Sequence, residues 1–523
     1  MNEPRPIWYR KNLRYLLMLD GAVLVALAAL VLYTVSRHEP WADEAQAWLI
    51  ARDFGWWRMI LGELRYEGHP PLWFAILWPA IHFFHMPYTY LGYLGGSIAI
   101  LGLAVLIFFA PFPRVLRYLI ASSFFFVYQY AVIARPYVLM PLLAFGAAYF
   151  YRKGVSRILA FGVCTALLIQ VSSYAAVIAI ALSTVCVMQF SSVWKDISDR
   201  DRKRVAAAGA LIALSLVMVV AVLLPRSDSS LVAQARGITL GRHLQLVLEG
   251  LIGSLSNSWL VAIPGLFIAG VWAYQRGHLL LMVLSVGGTA MVYGFLRGYG
   301  HHQGLITIAF VAFLWAAWPD RGQADLVPRD ARRLHQAAIV ALLFVFGWHC
   351  EWSYIAIRSE WAGAYSGARD AAMFLQSVHA DQVGCRGYTF WSIGVQPYFD
   401  HNIFANQGGS DAAASHHFGF EAENHTQMIF PSELQEGPPI VVSYFEGTED
   451  ETAPMVEAFT AWNFRLIHLS DGRRFFKGTS GVRERYLIFA RTDWILAQRD
   501  RGVQLPELVP SETALSMNPF GTR

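Results

Sequence analysis

The chain has 523 residues, of which 55% are hydrophobic and only 15% are charged, and its mean hydropathy is +0.39. Soluble proteins carry about 25% charged residues, so the composition excludes an ordinary soluble domain. The net charge of +4 is small and spread over short loops, which favours a membrane protein over a nucleic-acid-binding one. The four cysteines show no CxxC spacing, and the sequence predicts neither a disulfide framework nor a zinc site.

Apolar runs in the first two-thirds of the chain are candidates for membrane-spanning helices, because about 20 apolar residues cross the hydrocarbon core as a helix. The runs cover residues 16–35, 71–84, 90–110, 115–133, 136–151, 158–170, 174–190, 205–224, 251–274, 279–296, 305–318 and 337–355. They predict a polytopic α-helical protein of the inner or plasma membrane, whose transmembrane domain covers residues 1–355.

Basic residues indicate the topology of these spans. They precede the first run and cluster in the loops 195–204 and 321–333, which the positive-inside rule assigns to the cytoplasm. The N-terminus is therefore predicted to be cytoplasmic and residues 36–70 to form the first outer loop. Counting crossings forward from a cytoplasmic N-terminus and backward from the basic loops gives numbers of spans that differ by one between residues 71 and 133. One more short or broken span is expected there, giving about 13, and the fold is expected to have about 11 to 13 transmembrane helices.

The first outer loop is predicted to contain two short helices. Apolar residues recur at helical spacing over residues 42–54 and 56–64, with tryptophans in or beside both stretches. This pattern is typical of amphipathic helices lying in the membrane interface. Tryptophan favours headgroup depth, so the acids of the loop would be held near the outer surface.

Two adjacent acids in this loop, Asp43 and Glu44, are the first candidates for catalysis. A carboxylate placed against a bilayer needs a partner or a function. Neighbouring helix positions point about 100° apart, so one acid would act while the other caps or orients. The structural alternative is that both only serve the first helical turn, where the helix dipole favours a carboxylate.

Glu67 and His69 lie at the start of the second apolar run. If the loop folds back, Asp43, Glu67 and His69 could together bind a divalent metal ion. Alternatively, Asp43 could act as a general base while the other two shape the site. A purely structural role is also open, since Pro70 and Pro71 suit a first helical turn and His69 could be an interfacial polar residue.

Arg135, which Pro136 and Tyr137 follow, lies between two apolar runs and is the third candidate, and Tyr137 is a candidate for binding the substrate beside it. A guanidinium at a membrane boundary can bind a phosphate bidentately; the alternative is that it only snorkels to the interface. Further outer-side candidates for binding the substrate or its phosphate are Arg52, Arg297, Tyr299, His301 and His302. Each of these, taken alone, is better explained by a structural role.

Polarity rises after residue 355, and residues 356–523 alternate predicted helices and strands. The helices are expected at 367–379 and 452–462, and the strands at 439–444, 465–469 and 486–491. This alternation predicts a soluble α/β domain on the extracytoplasmic side. The chain has no GxxxxGK[ST] phosphate loop and no Gly-rich dinucleotide fingerprint, so no nucleotide cofactor is expected.

Together these motifs resemble the C-type membrane glycosyltransferases, in particular the family-39-like group of protein O-mannosyltransferases and lipid A aminoarabinose transferases. The resemblance rests on Asp43-Glu44 in the first outer loop, His69-Pro70-Pro71-Leu72-Trp73 at the next span, and Arg135-Pro136-Tyr137 later in the chain. It is good over about the first 150 residues and weakens to shared hydropathy up to residue 355. The chain differs from the family at Gly68 and His69, and in the proline after Arg135.

The resemblance implies a C-type glycosyltransferase fold and an inverting transfer. A sugar would move from a polyprenyl-phosphate donor to a glycan, lipid or protein acceptor on the outer, periplasmic face. Asp43 would be the general base for the acceptor hydroxyl. Arg135, or a metal ion at Asp43 and Glu67, would stabilise the charge on the leaving phosphate.

Three other functions are compatible with the sequence. A ligase or polymerase of lipid-linked glycans would use the same face and differ only in the size of the group transferred. A transporter of a lipid-linked or polar solute would be expected to show paired repeats, which the sequence lacks. A non-catalytic assembly protein would use the acids only as helix caps.

Overall fold

The computed structural model describes residues 7–224, 239–296, 298–320, 329–406, 431–447, 452–477, 479, 481–503 and 505–506. Within these ranges the chain is mostly helical, with a small sheet near its C-terminus.

In chain order, the α-helices are α1 Ile7–Val35, α2 Ala42–Asp53, α3 Trp56–Arg58, α4 Leu64–Glu67, α5 Leu72–His82, α6 Leu91–Phe109, α7 Arg114–Ala121, α8 Leu139–Tyr151, α9 Ile158–Ile169, α10 Ser173–Val193, α11 Asp199–Leu223, α12 Leu240–Leu255, α13 Trp259–Gln275, α14 Leu279–Met282, α15 Gly288–Phe295, α16 Gln303–Ala317, α17 Arg329–Ala362, α18 Ala368–Ser377, α19 Ala380–Val383, α20 Pro431–Glu436, α21 Ala453–Ala461 and α22 Thr492–Asp500. The π-helical segments Met59–Glu63, Phe125–Gln129 and Val283–Gly287 and the 3-10 segments Tyr88–Tyr90, Pro136–Val138, Gly154–Arg157, Gly300–His302 and Phe390–Tyr398 supplement them.

Several of these helices are long and apolar enough to cross a membrane. By length and composition, five qualify among the described residues: Arg14–Val35, Tyr88–Phe109, Ser173–Val193, Asp199–Leu223 and Arg329–Ala362. The pair α12 and α13 adds a sixth if it counts as one span, and four shorter apolar segments accompany them. The helix α11 leaves Leu214, Val217 and Val220 each at least 65% exposed, as a lipid-facing surface would. These features fit a multi-pass membrane protein.

Two predicted spans are wrong as single helices. The run 251–274 is divided between α12 and α13, which meet at 87°, and Asn257 at the break has φ +24°. The run 115–133 is interrupted because α7 ends at Ala121, where the Ser123 hydroxyl bonds the carbonyl of Ile120 instead of continuing the helix. Between residues 71 and 133, which are all described, the helical segments are α5, α6 with Tyr88–Tyr90, and α7 with Phe125–Gln129, and the extra span stays a prediction.

The first loop is helical as predicted, but its first helix is not an interfacial one. Residues 42–51 of α2 are all buried, because α2 packs between α5 and the segment Phe390–Tyr398 of the C-terminal region. The expectation of an amphipathic surface helix at 42–54 is therefore wrong. The second stretch is helical from residue 56 to 67 through the π-helical segment Met59–Glu63, and Trp57 is exposed.

The C-terminal sheet contains β1 Cys385–Tyr388, β2 Ile440–Glu446, β3 Phe464–Arg474 and β4 Val482–Arg491, in the order β1-β2-β4-β3. The strands β1 and β2 are parallel, and the other two pairs are antiparallel. The predicted strands and both predicted helices of this region are confirmed; β3 and β4 are longer than expected, and β1 and α22 were not predicted.

Both faces of the sheet are covered, which explains the continuous apolar run of β2. Val442 and Ile488 belong to one apolar cluster, which includes residues of α18, whereas Val441 and Phe489 belong to another, which includes Phe459 of α21. A strand buried on both faces loses the apolar–polar alternation of a surface strand.

The sheet region (the described residues after 362) contacts the helical region (the described residues up to 362) at several places, including α2 and the break between α12 and α13. At the first, Leu49 of α2 packs with Phe390 and Ile393. At the second, the end of the β3–β4 hairpin enters the helices through Phe476 and Lys477, and Lys477 is only 4% exposed. The first of these contacts places α2, with its two acids, at the junction.

Candidate functional site

The centre of the candidate site is a buried ion pair between Asp43 and Arg135. Asp43 lies in the first turn of α2, and its Oδ2 atom contacts Nη1 of Arg135. Arg135 is extended (φ −116°, ψ 169°), because the residue before a proline avoids the helical region. Pro136 therefore holds the chain in the conformation that brings the guanidinium to the acid.

Glu67 lies near this pair at the end of α4. Gly68 follows in the left-handed region (φ +65°), which ends the helix and turns the chain towards His69. The Glu67 carboxyl accepts a 2.6 Å hydrogen bond from Nε2 of Gln46. Burial raises the pKa of Glu67 well above its usual range, although the Arg135 charge opposes this. The neutral acid is favoured accordingly.

Asp43 also has an altered proton affinity. Burial raises the pKa of the Asp43 carboxyl, and the guanidinium groups of Arg135 and Arg474 only partly oppose the shift. A carboxylate with a raised pKa accepts a proton more readily than an exposed aspartate does.

Imidazole and phenol rings surround the ion pair. Nη1 of Arg135 lies 3.4 Å from Nε2 of His301, and a 2.9 Å hydrogen bond joins the Tyr137 hydroxyl to Nε2 of His302. The His69 ring packs edge-on against Tyr137, with centroids 5.3 Å apart, and Tyr174 packs against His302 at 5.2 Å. The ion pair is thus enclosed by groups that can donate or accept hydrogen bonds.

These histidines are neutral at pH 7. Burial, reinforced by the Arg135 charge, lowers the pKa of His69 to about 3. Burial also lowers the pKa values of His301 and His302 well below their usual range. A neutral imidazole offers one donor and one acceptor, so these rings can bind a polar ligand without adding charge.

Several polar atoms of the cluster are buried without a hydrogen-bond partner within the described part of the chain. They are Nδ1 of His69, Nδ1 of His302, the Tyr174 hydroxyl and Nε of Arg135. Buried polar groups are nearly always hydrogen-bonded, so a group of unpartnered ones is typical of a site that receives a polar ligand.

Glu44 faces away from this cluster and makes structural contacts. One carboxylate oxygen accepts a 2.7 Å hydrogen bond from the backbone N–H of Ala134. The other accepts a 3.2 Å hydrogen bond from the N–H of Trp41 at the start of α2. The second oxygen also lies 3.0 Å from Nε2 of His38. The two adjacent acids therefore have different partners, as their positions on a helix require.

The predicted metal ligands do not form a cation site. Among the residues that the structure describes, no group of three or more His, Cys, Asp or Glu side chains could hold a metal ion. Asp43 is paired with Arg135, and Glu67 with Gln46. A guanidinium stands where the metal ion was expected, so Asp43, Glu67 and His69 do not fit a divalent cation.

Of the other residues predicted to bind the substrate, Arg52 and Tyr299 are not part of the Asp43–Arg135 ion pair. Arg52 is at the other end of α2, about 14 Å along the helix, and it bonds Asp53 and the carbonyl of Phe399. Tyr299 is 63% exposed and its ring stacks on His301. Arg297 lies outside the described residues.

Sequence reasoning missed groups that are distant along the chain. The Arg474 guanidinium of β3 lies 4.2 Å from the centre of the Trp41 ring and is paired with Glu446. Tyr174 and Gln46 were also missed. Apolar periodicity carries no signal for such partners, although a histidine such as His38, just after an apolar helix and close to two acids, could have been noticed.

The site therefore combines one buried carboxylate, one guanidinium and three neutral imidazoles where the helical region meets the sheet region. Such a set can bind an anion at the guanidinium and accept a proton at the carboxylate. No protein-family model matches the chain, and no curated protein matches it.

Proposed function

We propose that this protein is a membrane glycosyltransferase that moves a sugar from a polyprenyl-phosphate donor to an acceptor hydroxyl, with inversion at the anomeric carbon. The observation that carries the proposal is the buried Asp43–Arg135 pair, surrounded by unpartnered polar atoms. The resemblance of three motifs to C-type glycosyltransferases supports the same conclusion.

Asp43 is the proposed general base. The acceptor oxygen attacks the anomeric carbon from one face, its proton passes to the Asp43 carboxylate, and the carbon–oxygen bond to the donor phosphate breaks on the opposite face. The products are the glycosylated acceptor and free polyprenyl phosphate. A positioned base contributes about 10²- to 10⁴-fold to the rate of such a step, and burial of Asp43 supports this role.

Arg135 is the proposed phosphate ligand. The donor phosphate and the Asp43 carboxylate would compete for the same guanidinium, so donor binding would loosen the ion pair and free the base. The negative charge that develops on the leaving phosphate would be stabilised by Arg135 and by hydrogen bonds from the neighbouring imidazoles. His69 and His302 are suited to this, because each keeps a buried ring nitrogen without a partner in the described residues.

The long apolar helices suit a lipid-linked donor, whose tail would stay in the bilayer while its phosphate reaches the site. A C-type fold with about 11 to 13 spans, a cytoplasmic N-terminus and the sheet region on the outer face is part of this proposal. So is a glycan, lipid or protein acceptor that binds from the outer face.

The experiment is transfer from a panel of labelled polyprenyl-phosphate sugars by purified protein in lipid nanodiscs, with an extract of outer-face acceptors. Asp43→Asn should reduce transfer by at least about 100-fold while leaving the melting temperature close to that of the wild type. Asp53→Asn is the matched control, because it removes a carboxylate from the other end of the same helix and should retain activity. A chelator arm tests metal dependence.

Unchanged transfer in Asp43→Asn would refute the assignment of the base. Absence of polyprenyl phosphate release from every donor would refute the proposed reaction, and uptake assays in proteoliposomes and polymer-forming assays would then separate a transporter from a ligase.

A further inference from the structure

A second buried cluster of charged groups lies behind the site. His38, just after α1, bonds Glu360 of α17 through Nδ1 at 2.9 Å and Glu44 of α2 through Nε2 at 3.0 Å. The Tyr128 hydroxyl donates a 2.6 Å hydrogen bond to the second carboxylate oxygen of Glu360. The segment around α1 and α2 and the helix α17, 322 positions further along the chain, therefore meet at one imidazole.

Carboxyl oxygens face both ring nitrogens of His38, at 2.9 and 3.0 Å. This geometry favours the protonated, positively charged imidazole, which donates from both nitrogens. Burial opposes this charge, but Glu44 and Glu360 together outweigh it and raise the pKa of His38 to about 10. Among the described residues, Glu39 also interacts electrostatically with His38, and the Tyr365 ring lies 4.8 Å from the imidazole between centroids.

This cluster is connected to both members of the ion pair. Glu44 directly follows Asp43 in the chain. The carboxylate oxygen of Glu44 that does not contact His38 accepts a 2.7 Å hydrogen bond from the backbone N–H of Ala134, which directly precedes Arg135. One carboxylate thus holds the backbone next to the base and the backbone next to the guanidinium. The second oxygen of Glu44 lies against His38.

We propose that His38 and Glu360 are positioning residues that hold Asp43 and Arg135 in register by fixing the carboxylate of Glu44. This inference rests on the proposed function for its catalytic consequence. Among the described contacts neither residue bonds Asp43 or Arg135, so both act through Glu44.

The arrangement suits positioning better than stability. A buried ion triad gains little over well-packed apolar side chains, but it allows only one geometry. Removing one member leaves an uncompensated charge and allows its neighbours to move. A misplacement of about 1 Å in a catalytic group costs about 100-fold in rate.

The test compares Glu360→Gln and His38→Gln with Glu351→Gln. Glu351 is an exposed acid on the same helix as Glu360, so its substitution controls for the loss of one charge from α17. We expect kcat for transfer to fall about 100-fold in the first two variants, with KM for the donor changed less than threefold, and no change in Glu351→Gln. Because the groups act as a unit, the double variant should lose no more than either single variant.

A milder variant guards against loss of folding. Tyr128→Phe removes only the hydroxyl that holds Glu360, and we expect it to keep the wild-type melting temperature while kcat falls about tenfold. Wild-type kcat in Tyr128→Phe and in whichever charge variants remain folded would overturn the proposal.

A readout independent of transfer is the rate at which phenylglyoxal modifies Arg135, followed by mass spectrometry. Arg135 is 15% exposed in its ion pair, and we expect its modification to be at least about tenfold faster in Glu360→Gln than in Glu351→Gln. If the wild type transfers no sugar, the proposed function fails and this rate alone decides the positioning role. If the wild type is active and neither kcat nor this rate changes, the positioning role fails and the function stands.

Discussion

At the residue scale, the two adjacent acids show how a helix divides roles between neighbours. Asp43 points to Arg135 among the histidines, while Glu44 points to backbone N–H groups and His38. Both are buried, and both have cationic partners, as carboxylates removed from water require. The difference is that the partner of Asp43 is itself able to bind a substrate anion, whereas Glu44 is held by groups of the fold.

The charge on His38 predicts how stability depends on pH. The folded-state pKa of about 10 lies above the ordinary value of 6.5. The contribution of His38 is therefore fully present below about pH 6.5 and is lost as the pH rises through about 10. We expect the wild-type melting temperature to fall between pH 7 and 10, and to fall by less in His38→Gln. The corresponding difference in the free energy of unfolding is on the order of a few kcal/mol.

Glu351→Gln is the control for this measurement, because it leaves the buried cluster intact and should keep the wild-type pH profile. Parallel profiles for wild type and His38→Gln would mean that His38 is not charged in the folded protein.

At the element scale, close packing of small residues sets the positions of the apolar helices. The α-carbon of Gly162 on α9 faces Ala208 on α11, and a β-carbon built there would lie 2.8 Å from the Ala208 β-carbon. Without a side chain at residue 162 the two helices can approach closely, as small residues allow between membrane helices. The neighbouring Gly209 of α11 faces open space, with no atom within 4 Å.

This contact predicts a contrast between two glycine substitutions. We expect Gly162→Leu to destabilise the protein by about 1–3 kcal/mol, because the added side chain forces α9 and α11 apart. Gly209→Leu should leave stability unchanged or slightly raised, since leucine favours a helix over glycine. Thermal melts of the two purified variants in nanodiscs test this, and equal melting temperatures would contradict the packing argument.

At the scale of the whole molecule, the end of the β3–β4 hairpin joins the two regions. The Lys477 Nζ atom donates to the carbonyl of Gly253, to the side chain of Gln303 and, at 3.1 Å, to Asn257. It also lies 4.8 Å from the centre of the Trp352 ring. All three acceptors are uncharged, and burial lowers the pKa of Lys477 well below its usual range.

Replacing Lys477 by an acid should release the hairpin. In Lys477→Glu a carboxylate would face three acceptors, and we expect chymotrypsin to cleave the chain after residue 362 at least about tenfold faster than in the wild type. Arg483→Glu is the matched control, since Arg483 is exposed on the same hairpin and its substitution should not alter the cleavage rate. Equal rates for the two variants would show that Lys477 does not hold the regions together.

The local pattern of apolar and polar residues was sufficient to predict many helices and strands and part of the candidate site. Long apolar runs predicted α1, α6, α10, α11 and α17, and short β-rich runs predicted β2, β3 and β4. The candidates Asp43, Glu67, His69, Arg135, Tyr137 and His302 were named from residue type and position in the chain. Periods of 3.6 and 2 residues are encoded over a few turns, so no distant contact is needed to recognise them.

Only the tertiary structure decided which distant groups meet. Glu360 lies 322 positions from His38 yet bonds its ring, and Arg474 of β3 packs on Trp41, which directly precedes α2. The spacing of apolar residues likewise did not predict that α2 is buried on all sides or that the helices break by 87° near Asn257. The sequence by itself therefore determined most of the apolar helices, the strands β2, β3 and β4 and several chemical groups of the site. Packing of distant segments against one another decided the partners of those groups, because a local apolar pattern encodes burial but not the side chain on the other side of the contact.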